Sequence, residues 1–165
     1  MKKLLMCLIV LVSIPTFAQE WNKTKVDGDE LKGTKDKTVL MYNDSGNIFQ
    51  VDDNEEKIFI LKTSNSFFDF TSIKGTNNRF ITLGLVGLYD KENNLIEKLE
   101  ITFEVYEPAT ICYPNKYTKG GGNNYKRSKK VIDFIKNSNG YVRFILPLHN
   151  QTTDFDFKVP TLKQN

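Results

Sequence analysis

The residues best able to do chemistry in this chain are few. A nucleophilic thiol needs a base beside it, and the sequence holds two Cys, Cys7 and Cys112, and one His, His149. Cys112 lies between Ile111 and Tyr113, a setting that reads as a small buried apolar side chain. One His excludes most His-rich zinc sites and weakens any Ser-His-Asp or Cys-His arrangement. No nucleophile elbow, phosphate-cradling loop or dinucleotide fingerprint is present. Gly120-Gly121-Gly122 leads toward a helix without the Gly-Lys-Ser/Thr ending, so it reads as a flexible connector. Asp27-Gly28-Asp29-Glu30 and Asp52-Asp53-Asn54-Glu55-Glu56 could offer oxygens to Ca²⁺, which takes about six to eight of them. Neither fits the loop that ends in a bidentate Glu, and both read as solvated turns. Any Asp and Glu could pair for glycoside cleavage, but no spacing selects a pair, and Glu100 and Glu104 read as an outward polar strand face. No catalytic residue, metal ligand or cofactor is therefore assigned.

Charge is distributed more tellingly than it is summed. Residues 19–111 carry 11 basic and 17 acidic side chains, and residues 112–165 carry 10 basic and 3 acidic, so the halves stand at −6 and +7. The excess gathers at Lys116, Lys119, Lys126, Arg127, Lys129, Lys130 and Lys136, opposed only by Asp133 and interleaved with Tyr113, Tyr117 and Tyr125. Such a patch can hold anions: a phosphorylated lipid headgroup, an acidic glycan or an acidic protein partner, with nucleic acid the least favoured. Tyrosine adds a flat surface for stacking. The candidate ligand-binding residues are Tyr113, Lys116, Tyr117, Lys119, Tyr125, Lys126, Arg127, Lys129 and Lys130. Two other readings stand beside this one: a solvated face that answers the acidic first half, and a contact between subunits.

The first eighteen residues read as an export signal. Lys2 and Lys3 open it, Leu4–Val12 is an unbroken apolar run, and Pro15 precedes Thr16-Phe17-Ala18 with small residues where a signal peptidase looks. The run is far short of the ~20 residues that span a bilayer, and no later segment is apolar enough to do so. The mature chain is expected to begin near Gln19, with 21 basic against 20 acidic residues and Cys112 as its one thiol. No internal disulfide is then possible, and packing must hold the fold.

The elements that must position these groups are mostly strands. Residues 19–37 read as an extended N-terminal segment with room for an edge strand, and 38–165 as a single β-rich domain. Thr38–Tyr42 and Ile48–Val51 flank a turn at 43–47. A strand at Lys57–Thr63 and a short one carrying Phe67, Phe68 and Phe70 follow. Arg79–Tyr89 is apolar at both parities, as in a strand covered on both faces, with Gly84 and Gly87 leaving room for a close neighbour. Its return alternates, with Leu99, Ile101, Phe103 and Val105 inward. Ser128, Val131, Ile132 and Ile135 form the apolar stripe of a helix over 128–139, stopped at Asn139-Gly140. Tyr141–Leu148 and Asp154–Val159 close the chain as a hairpin. About eight strands and one helix predict an antiparallel β-sandwich or open barrel. Most of the twelve Phe are expected in its core.

The Phe17-Ala18-Gln19 junction, the Lys/Asn/Ile-rich composition and the β-rich body resemble small secreted proteins of Bacteroidetes-type bacteria. The passage through Gly140 into Tyr141-Val142-Arg143-Phe144, then Thr153-Asp154-Phe155-Asp156-Phe157, is similar to the ending of exported β-sandwich proteins of the invasion-associated locus B family. That likeness covers about a quarter of the chain and lacks the paired cysteines of that family, so no functional residue carries over. It implies an exported, periplasmic, non-enzymatic protein.

The functional expectation is a non-catalytic envelope or secreted domain, periplasmic or extracellular, that binds an anionic ligand or protein partner through the basic region. The alternatives are a carbohydrate-binding or carbohydrate-active module, whose Tyr side chains or Trp21 would line one concave face, and a structural component of an envelope assembly.

Overall fold

The computed structural model describes residues 21–28, 35–67, 79–106, 110–116, 123–149 and 151–163. Among these residues nine strands form one antiparallel sheet: β1 (Asn22–Val26), β2 (Lys37–Asp44), β3 (Asn47–Asp52), β4 (Phe59–Lys62), β5 (Arg79–Asp90), β6 (Leu95–Tyr106), β7 (Ile111–Pro114), β8 (Gly140–Leu146) and β9 (Phe155–Pro160). The one helix among the described residues, α1 (Asn124–Asn137), lies between β7 and β8 in the chain. Spatial order is β1-β2-β3-β4-β7-β6-β5-β8-β9, and no ladder joins β1 to β9. The mainly β architecture with one C-terminal helix is the one the sequence predicts.

One face of this sheet is the core. Tyr42, Phe49, Phe59, Ile101, Phe103, Phe144, Phe157 and Val159 alternate with outward residues along their strands and are buried. Seven strand spacings separate β2 from β9, which in a flat sheet would be roughly 33 Å. Yet the Tyr42 and Phe157 rings stack with centroids 6.0 Å apart. Phe49 of β3 likewise stacks on Phe144 of β8 at 5.8 Å. The sheet therefore curls around its own aromatic core into an open barrel. Trp21 spans the seam: its ring packs on Tyr42 and Phe49, and its Nε1–H donates to the Pro160 carbonyl at 3.1 Å.

Turns hold the register. Ser45 and Gly46 both have positive φ, 52° and 82°, the geometry of a two-residue hairpin loop whose twist matches its strands. At the β5–β6 turn the Asp90 carboxylate accepts from the backbone and side chain of Asn94 at 2.8 and 3.0 Å.

Several sequence expectations change. The helix begins four residues before Ser128, capped by Asn123, whose side chain accepts from the Lys126 amide. It ends at Asn137 on a Ser138 cap. Gly140 opens β8 and does not cap the helix: its φ is +150°, and an added Cβ would lie 2.0 Å from the Tyr89 carbonyl oxygen. Phe67 sits at a bend and packs edge-on against Phe155, while Phe68 and Phe70 lie outside the described residues. Strand β7 was not anticipated. Glu104 does lie on the outer face, but it is buried, at 6% exposure. Strand β5 is covered on its inner face only, since Ile81 and Leu83 are 49% and 53% exposed on the other.

Candidate functional site

The basic region is built on α1. Asn124, Ser128, Val131, Ile132 and Ile135 form its buried stripe, so Tyr125, Lys126, Arg127, Lys129 and Lys130 occupy the remaining circumference. Two polar residues of the stripe fix the helix. The Ser128 hydroxyl donates to the Lys57 carbonyl at 2.5 Å. Asn124, fully buried, accepts from the Thr102 amide at 3.2 Å and donates to the Thr102 and Asn115 carbonyls at 2.8 and 2.6 Å. Strand β7 ends at Pro114, and the Asn124 amide continues its hydrogen bonding to β6 one residue further on. Sequence reasoning missed this residue. Its signal was a pair of Asn directly ahead of the apolar stripe, where Asn123 alone is enough to cap.

The cations of the helix divide into two groups. Toward the middle and end of α1, Lys129 pairs with Glu56 at 3.0 Å and Asp133 at 3.4 Å, and Lys130 pairs with Glu97 at 2.5 Å. Lys136 donates to the carbonyls of Asp53 and Glu55 at 2.5 and 3.3 Å. Glu56 holds the Lys129 ammonium above its ordinary pKa, and Lys129 holds the Glu56 carboxyl below its own. These bonds tie the helix to the acidic turn at 52–56 on one side and to the start of β6 on the other. Part of the opposition between acidic and basic halves is thus satisfied inside the molecule.

At the N-terminal end the balance differs. Arg127 Nη1 donates to a neutral acceptor, the Glu100 carbonyl, at 2.7 Å. Lys126 is exposed and makes no side-chain ion pair among the described residues. The first turn of the helix has no acidic residue. Tyr125 is half-buried beside them. Tyr113 lies on the outer face of β7 opposite Glu104, and Lys116 is exposed just beyond β7, its carbonyl accepting from the Asn124 amide at 3.2 Å. Tyr117 and Lys119 lie outside the described residues.

Other sequence candidates fall elsewhere. Cys112 is fully buried, and burial pushes its thiol pKa well up, the opposite of what a nucleophile needs. Among the described residues no group of three or more His, Cys, Asp and Glu gathers to hold a metal ion. A surface hollow of about 540 Å³ opens between β1, β2 and the 52–56 turn, with Asp27, Asp36, Asp52 and Glu55 beside Lys35 and Lys37. The described aromatic side chains do not gather on one concave face. Trp21 packs on the core, while Tyr89 and Tyr141 stack on each other on the outer face, centroids 4.8 Å apart and planes 5° from parallel. No described helix is long and apolar enough to cross a membrane. No family model matches the chain, and no curated protein or solved structure matches it.

Proposed function

We propose that this chain is an exported, non-catalytic β-domain that binds an anionic ligand at the N-terminal end of α1. The division among the helix cations carries the reading. Lys129 and Lys130 bond to carboxylates; Lys136, like Arg127, donates to backbone carbonyls, but those of the acidic 52–56 turn, where its charge acts on Glu56. Lys126 and Arg127 keep their charge unneutralised by any described carboxylate, beside the partly positive end of the helix. Half-buried Tyr125, next to Lys126 in the chain, supplies ring surface. The leader-like N-terminus supports export. The fully buried Cys112 and a core filled by Phe49, Phe59, Phe103 and Phe144 support binding at the surface, not chemistry inside the barrel.

The test uses two probes on the mature chain, a heparin oligosaccharide and phosphatidylglycerol vesicles, titrated at about 50 and 200 mM salt. Binding that weakens steeply with salt and is lost in Lys126→Ser/Arg127→Ser is expected. Lys129→Ser/Lys130→Ser should change affinity much less, because those charges already have partners. Equal loss from both double variants, or salt-independent binding, would overturn the placement of the site.

A further inference from the structure

The outer face of β6, β5, β8 and β9 lies on the far side of the sheet from the core, and its residues fall into rows set by the ladder registers. One row is Lys98, Gly87, Arg143 and Lys158. The next is Glu100, Leu85, Ile145 and Asp156. The first row is basic at three positions and the second acidic at its two ends; Arg143 and Asp156 pair within the protomer at 2.8 and 2.5 Å, which leaves Lys98, Lys158 and Glu100 as the charges turned outward. Lys98, Glu100, Asp156 and Lys158 are all exposed. Beyond these rows, on opposite sides, lie Tyr89 with the 52%-exposed Leu95, and the 53%-exposed Leu83.

We infer that a second copy of this chain packs on this face, about a two-fold axis that runs across the strands between the two rows. Such an axis sets each strand antiparallel over its own copy. It places the basic row of one protomer over the acidic row of the other: Lys98 faces Glu100 of the partner subunit, and Lys158 faces Asp156 of the partner subunit. The same operation, with no further adjustment, sets Leu83 against the Tyr89 and Leu95 surface of the facing copy. The contact therefore has an apolar centre along β5 and charged rims of alternating sign, as self-complementary interfaces do. The apolar pattern of β5 supports this arrangement from the sequence. Ile81, Leu83 and Leu85 suit a strand covered on both faces, and the protomer covers only the inner one.

Sedimentation equilibrium on the mature chain, from about 1 µM to 1 mM, should show a monomer–dimer equilibrium. Lys98→Glu places like charges in opposition and should weaken association by about tenfold. Adding Glu100→Lys restores the alternation and should return affinity to near the wild-type value. Leu83→Lys should leave a monomer with unchanged circular dichroism. A wild-type chain that stays monomeric across this range would overturn the inference. So would a dimer indifferent to both Lys98→Glu and Leu83→Lys, and so would a double charge swap that fails to rescue.

Discussion

Asn124 is a single side chain that substitutes for a piece of strand. With Asn115, whose own amide donates to the Thr102 carbonyl at 2.8 Å, it completes the edge of β6 that β7 leaves behind. Asn124→Ala leaves buried backbone groups without these partners, at a cost of about 1–3 kcal/mol for each group so stranded. Asn124→Asp should be no milder. Its geometry is the same, but a carboxylate would face the Thr102 and Asn115 carbonyls with no hydrogen to give them. Urea unfolding of both variants, followed by the fluorescence of Trp21, the one Trp in the chain, checks the order. An Asp variant close to wild-type stability would show that the amide donors do not matter. Gly140 is the other position where one atom decides. A Cβ there meets the Tyr89 carbonyl, so Gly140→Ala must push β8 away from β5 at the point where the two strands begin to pair.

What holds α1 in place is its apolar stripe more than its charges. Val131, Ile132 and Ile135 are buried at 1% exposure or less, and Ile135→Ala should cost about 2–5 kcal/mol. The Lys129–Glu56 and Lys130–Glu97 pairs sit at the surface, where water and salt screen them. Lys129→Ala should therefore move the thermal midpoint far less than Ile135→Ala, a comparison calorimetry makes directly. The stripe was legible in the sequence because its 0, 3, 4, 7 spacing is periodic. The first turn was not, because Asn123 to Arg127 carries no apolar repeat and is helical through a cap and a tertiary hydrogen bond. Strand β7 escaped for a similar reason. Its four residues, Ile111–Pro114, are too few to show alternation and end in proline. The hairpins were legible because turn residues and alternation mark them locally, whereas the order of strands is a property of distant pairings such as Leu61 with Cys112. Of the candidate site, composition showed where cations concentrate along the chain. It could not show which of them meet carboxylates, since Lys129 and Glu56 are 73 residues apart.

At the scale of the molecule, the open seam and the ionisable surface set how the barrel fails. Asp156 is held below its ordinary pKa chiefly by its hydrogen bonds to Arg143, and Asp90 by its bonds to Asn94. A carboxyl depressed in the folded state stabilises above its unfolded pKa, about 3.9 for Asp, and that contribution is lost as pH falls through the folded value. Cys112 works in the opposite sense. Its raised folded pKa contributes stability below about 8.5, which is lost as pH rises and the unfolded thiol ionises. Stability should therefore plateau between these limits, and Cys112→Ala should flatten the alkaline fall without altering the acid one. The seam is where opening should start. Among the described residues no ladder closes the β1–β2 end onto β9; the Trp21 hydrogen bond to Pro160 and the Tyr42–Phe157 stack cross the seam there, whereas β5 is paired on both sides over residues 85–89. Trp21→Ala removes the ring contacts with Tyr42 and Phe49 as well as that bond. Because Trp21 is half-buried, the loss should fall somewhat below the ~3–5 kcal/mol of a fully buried Trp. It should also be local. Amide exchange should quicken along β1, β2 and β9 and stay slow in β5, β6 and β8, since regions open in cooperative units of unequal stability. Uniform quickening across all nine strands would mean that the seam is not a separate point of failure and that Trp21 stabilises the barrel only as one more core side chain.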